Sequence, residues 1–206
     1  MPESTVAIQR CIDRLHKGQS DVRGELLDYA FERLQWMVKK MKRGYERVGR
    51  WEQTDDVVQN ASLRLYEALN KVKITDARHF FRLAALQIRR ELLDLCRHYY
   101  GPQGAGANYQ TVMHQPAAER GERPEAFDCA ELSADPRKVQ EWGDFHRHVG
   151  ELPEPEREVV DLLWYHELSQ DEAACLLGVS TRHVKRLWRS ARLLLYSRLQ
   201  GELPGE

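Results

Sequence analysis

Arg182 and Arg186 lie one helical turn apart in the segment TRHVKRLWRSARLLLYSRL, with Thr181, His183, Lys185 and Arg189 beside them. Guanidinium groups at that spacing suit bidentate hydrogen bonds to guanine edges in a major groove. Lys185 and Arg189 suit phosphate oxygens, and Ser180 at the head of the segment suits a phosphate contact at a helix N-terminus. His183 is open between base, phosphate and solvent, and Trp188 fits a core better than a stacking platform. Catalytic constellations are missing. Asp55 and Asp56 are adjacent, so on a helix they point about 100° apart and make a poor shared metal site. His146 and His148 have no cysteine pair nearby, and neither a nucleophilic triad nor a phosphate-cradling glycine loop is present. The expectation is a binding protein rather than an enzyme, with no metal and no cofactor.

The elements that must position these cations are legible around them. Ser169 opens S-Q-D-E, a capping box with Glu172 at its third helical position. The short helix that follows, QDEAACLL, stops at Gly178, where a left-handed turn suits glycine. Ser180 then caps a second helix that runs to Gly201. Ala174 is small enough for the two helices to cross closely, and Leu177, Val179, Val184 and Leu187 lock one onto the other. The pattern A-x3-G-x5-V with these hydrophobes predicts a DNA-binding helix-turn-helix, with the second helix as reader. Pro153 or Pro155 opens a preceding helix through EREVVDLLWYH.

Charge is divided in the same way. The chain of 206 residues has a formal net charge of −1, which alone counts against a nucleic-acid partner. By segment, residues 1–23 carry net +1, 24–100 net +4, 101–143 net −3 and 144–206 net −3. Within the last segment, Glu151 to Glu172 hold eight carboxylates against Arg157, whereas Ala173 to Gly201 hold six cations and no carboxylate. A domain with one acidic and one basic half faces two different partners or orients on one.

Upstream, residues 5–16 place Val6, Ile8, Ile12 and Leu15 at helical spacing. Residues 24–43 carry the stripe Leu27, Ala30, Leu34, Met37 and Met41 before a stop at Gly44. Thr54 caps a third helix with Asp55 and Asp56 in its first turn. A fourth, near Ala77 to Tyr99, buries Phe81, Ala84, Ala85, Ile88, Leu92 and Leu95, while Arg82, Arg89, Arg90 and Arg97 gather on another flank. Residues 101–143 hold four of eight prolines and five of thirteen glycines and too few apolar residues for a core, so they read as a flexible linker. Strand patterning is absent. The expected fold is all-α, with two small helical domains on either side of the linker: an extension over 1–23, one domain over 24–100, and the helix-turn-helix domain over 144–206.

Three segments carry a family resemblance: T-D-D-V-V-Q-N-A-S-L-R-L-Y (54–66), D-A-R-H-F-F-R-L-A-A-L-Q-I-R-R-E-L-L-D-L-C-R (76–97), and the pair L-P-E-P-E-R-E-V-V-D-L and L-G-V-S-T-R-H-V-K-R-L-W-R-S-A-R-L-L-L. Together, and in this order, they resemble the bacterial RNA polymerase sigma factors of the extracytoplasmic-function group, which keep the second and fourth sigma domains. The resemblance implies that Asp55, Asp56, Gln59, Asn60 and Arg64 dock on core RNA polymerase. Asn60 stands where the family usually has glutamate. It implies that Lys71, Lys73, Arg78, His79, Phe80, Arg82, Gln87, Arg89 and Arg90 hold the melted minus-ten element of promoter DNA. Phe81 lies on the buried stripe, and Phe80 is the one expected at the surface. Ser180, Thr181, Arg182, His183, Lys185, Arg186 and Arg189 would read the minus-35 element as duplex. The acidic linker fits a segment mimicking nucleic acid and ordinary disorder equally.

The implied function is promoter-specific initiation of transcription with core polymerase, and an anti-sigma protein is a candidate further partner. The rival is a stand-alone helix-turn-helix regulator whose N-terminal half dimerises or senses a ligand. Scattered cysteines, the absence of a secretory leader and the lack of an apolar run near ~18 residues lead to an expectation of a cytoplasmic chain without a membrane partner.

Overall fold

A computed structural model describes residues 3–19, 22–43, 54–100, 136–199 and 204, and every described element is helical. The order is α1 (Glu3–His16), α2 (Val22–Arg43), α3 (Thr54–Lys71), α4 (Ala77–Tyr100), α5 (Pro136–Gly150), α6 (Glu154–Val160), a π-helical turn (Asp161–Tyr165), α7 (Gln170–Leu177) and α8 (Thr181–Leu199).

Helix α4 is the axis of the molecule. Ile88, Leu92 and Leu95 share a core with Leu34, Met37 and Met41 of α2 and with Trp142, Phe145 and Tyr165 of the C-terminal half. A second core joins Ile8 and Ile12 of α1, Leu26 of α2 and Phe80, Phe81 and Ala84 of α4 to Val159, Leu162, Ala173 and Val184. Both halves of the chain thus contribute to both cores. Burial of this apolar surface at roughly 25 cal/mol per Å² is what holds α4 between its neighbours.

Two expectations need correction. Helix α5 begins at Pro136, inside the stretch read as linker over 101–143, of which 101–135 lies outside the described residues. Gly143, counted among the linker glycines, sits within this helix where α5 approaches α4, and a Cβ there would stand 3.4 Å from the Cβ of Cys96. Second, Phe80 is not at the surface. It is as fully buried as Phe81, with its ring 6.0 Å from that of Tyr29 and 5.8 Å from that of Phe81. The reason is the amphipathic α1, whose Ile8 and Ile12 need a partner face and find it on the α2–α4 surface that holds Phe80.

The helix expected through EREVVDLLWYH changes pitch at Asp161. The His166 N–H bonds the Asp161 carbonyl at 3.2 Å, the i to i+5 bond of a π turn. The wider turn sits where Glu158 to Leu162 and Trp164 to His166 are all buried, more than one face of a regular helix presents. Glu167 then ends the segment at φ 54°, a left-handed conformation that costs a non-glycine residue about 1–2 kcal/mol. Its carboxylate is held by Arg33 of α2 at 2.7 Å.

Candidate nucleic-acid and polymerase interfaces

The helix-turn-helix forms as its residues require. The Ser169 Oγ accepts from the Glu172 N–H at 3.2 Å, and the Glu172 carboxylate accepts from the Ser169 N–H at 2.8 Å, closing the capping box. Gly178 takes φ 68°, and its N–H bonds the Cys175 carbonyl at 3.3 Å. The Ser180 Oγ accepts from the His183 N–H at 3.3 Å, capping α8. Ala174 and Val184 are buried where α7 and α8 meet, and Leu187 packs beside them.

This turn aims the reading surface outward. Arg182, Lys185, Arg186 and Arg189 are exposed, and no described carboxylate forms an ion pair with any of them. The Arg186 guanidinium donates to the His183 Nδ1 at 3.1 Å, so two candidate base-contacting side chains are already oriented together. Thr181 is half-buried, and its hydroxyl donates to Asp171 of α7 at 2.8 Å, so it ties the two helices together.

The α4 surface is different. Lys73 and Arg90 are exposed, and Gln87 and His79 are half-buried. The His79 Nδ1 lies 3.2 Å from the Thr75 hydroxyl, while Asp76 accepts from the His79 N–H at 2.8 Å. That N–H bond holds the Asp76 carboxyl below the usual carboxylate range. Lys71 is exposed and pairs with Glu67 at 3.1 Å. Three arginines, however, reach the C-terminal half. Arg78 binds Glu158 through two N–H donors at 2.6 and 2.7 Å, and Arg82 binds Glu154 at 2.6 Å. Arg89, expected on a solvated flank, is only 4% exposed and pairs with Asp161 at 2.6 Å. Burial pushes the Asp161 carboxyl up and the Arg89 charge pulls it back, while Arg89, despite its burial, is held charged by that carboxylate.

Sequence reasoning missed the carboxylate partners, although Asp161 carried a signal. An acid inside the apolar run V-V-D-L-L-W-Y has to meet a cation if it is buried.

Helix α3 presents Gln59 and Arg64 at its surface, with Leu63 and Tyr66 about half-exposed between them. Arg64 reaches back to Glu91 at 3.3 Å and Asp94 at 3.0 Å of α4. The side chains of Asp55, Asp56 and Asn60 lie outside the described residues. No described group of His, Cys, Asp and Glu could hold a metal ion, and no described helix is long and apolar enough to cross a membrane.

A helix-turn-helix with an exposed, cationic second helix on an otherwise all-helical scaffold defines a DNA-binding protein. The family model described as ECF sigma factor matches residues 5–201, so the chain belongs to the ECF sigma factors, a family of promoter-directing polymerase subunits rather than enzymes. No curated protein matches the chain.

Proposed function

We propose that the chain binds core RNA polymerase through α3, reads the minus-35 element with α8 and holds the melted minus-ten element along the loop before α4 and its exposed flank. The observation that carries this reading is the unpaired cationic surface of α8, held outward by a complete capping box and a left-handed glycine. Arg182 and Arg186 take base edges, and Lys185 and Arg189 take phosphates. Lys71, Lys73, His79, Gln87 and Arg90 are the minus-ten residues accessible in the described arrangement. The two domains are 24–100 and 144–206 in function, with α5 as the lead-in to the second. The work is done where polymerase and promoter meet, in the cytoplasm, and an anti-sigma protein is a further partner of this reading.

The test is transcription with bacterial core polymerase. The purified chain should confer specific initiation. Arg186→Ala should weaken one set of promoters by about 1–3 kcal/mol, whereas Lys185→Ala should weaken all sequences and flatten the salt dependence by about one counterion. Equal losses from both would remove the base-contact assignment. Tight operator binding without any response to polymerase would replace the sigma reading with the stand-alone regulator.

A further inference from the structure

We propose that the acidic face of α6 is a docking surface for the arginines of α4, and that it holds the free chain in a closed state that excludes single-stranded promoter DNA. This rests on the reading of α4 as the minus-ten helix. Glu154 and Glu158 stand one turn apart on α6, and Arg82 and Arg78 stand one turn apart on α4, paired at 2.6 and 2.6–2.7 Å. A carboxylate that accepts two parallel N–H bonds from one guanidinium uses the donor geometry a phosphate would use. The same arginine cannot serve both, so α6 and nucleic acid compete for it.

The geometry of the whole chain points the same way. Arg78 and Glu158 on one side and His183, Val179 and Leu187 on the other line a single cavity of about 350 Å³. The two surfaces assigned to promoter DNA therefore face each other across one small space. Promoter elements two helical turns apart lie about 70 Å from one another. One closed chain cannot reach both, and the halves must part for promoter binding. Apolar contacts of Trp142, Phe145 and Tyr165 with α4 resist that parting, so the energy has to come from binding to polymerase.

The masking is one-sided. Arg182, Lys185, Arg186 and Arg189 stay exposed in the closed chain, whereas Arg78, Arg82 and Arg89 do not stay free. The closed state thus spares duplex contacts and blocks single-strand contacts, which separates it from a general effect of net charge.

The test compares full-length wild type with E154Q/E158Q, using a fluorescein-labelled single-stranded 12-mer and a duplex of the same sequence. The variant is expected to bind the single strand about tenfold more tightly, because the competent fraction rises, with duplex affinity unchanged. Since Glu158 is buried, E154Q alone is the second variant. Glu154 is exposed, its loss leaves the fold intact, and about threefold is expected. An unchanged single-strand affinity in both variants overturns the closed state, and so does an equal rise on duplex. Wild-type transcription with core polymerase separates this from the sigma reading. A selective single-strand gain without promoter-specific transcripts keeps the closed state and removes the sigma assignment. Specific transcripts without the gain overturn the closed state alone.

Discussion

Replacing Asp161 with alanine is expected to destabilise the folded chain by about 3–5 kcal/mol, read from urea unfolding of the full-length protein. The size follows from what is left behind. Arg89 and Asp161 have side chains only 5% and 6% exposed, and they meet at 2.6 Å. Without the carboxylate, the Arg89 guanidinium remains buried with the Tyr165 ring, 5.4 Å away, as its main polarisable neighbour. An uncompensated buried charge costs several kcal/mol, whereas an exposed ion pair such as Arg82–Glu154 is worth about 0–1 kcal/mol. The paired replacement Arg89→Met with Asp161→Leu is expected to recover most of the loss, because it removes both charges and fills the space. A single-variant loss below about 1 kcal/mol would mean that the pair is hydrated in solution and that the two halves do not pack as described.

That pair also shows why some of this molecule was legible in its sequence and some was not. The helix-turn-helix is built from contacts within about ten residues: Ser169 with Glu172, Thr181 with Asp171, Ser180 with His183. Each is a local chemical requirement of a helix end, so spacing alone reveals it. The helices also followed from apolar periodicity, with α4 expected near 77–99 and found at Ala77–Tyr100. Burial on α4 was harder, because one stripe predicts one partner. Phe80 and Arg89 fall outside that stripe, yet α4 also meets α1 and the 161–166 segment. The partners of Phe80 and Arg89 include residues tens of positions away, and nothing in the neighbourhood of either residue encodes that meeting. The same limit applied to Arg78 and Arg82. Their sequence context is basic and helical, which fits a nucleic-acid surface. Their pairing with Glu158 and Glu154 depends on how the chain closes on itself.

Acidification is expected to weaken the fold well before the carboxylates titrate. His146 and His166 are both fully buried, and burial pushes them down, to about 3 and about 4. His146 is further lowered by the Arg89 charge; for His166 the Phe81 carbonyl, accepting from its Nε2–H at 2.8 Å, works in the opposite direction. In the unfolded chain both titrate near 6.5. Between about pH 6.5 and 4 the unfolded state therefore binds more protons than the folded one, and stability falls as pH falls. Above 6.5 the contribution is complete. The expected loss is about 3 kcal/mol from pH 6.5 to pH 5, with nearly two protons taken up per molecule unfolded, read from urea curves across that window. Burial raises Asp161 and Glu91, which act with the opposite sign but in the lower carboxylate range, so the histidines dominate this window. His166→Gln should halve the slope, and a flat profile for the wild type would show that both rings are hydrated. The two sites differ in what their protonation disturbs. His146 bonds Tyr165 at 2.7 Å within the C-terminal half, whereas His166 bonds α4 and lies 5.9 Å from the Tyr29 ring of α2. Protonating His166 therefore strains the contact between the halves directly, and His146→Gln should leave that part of the pH dependence in place.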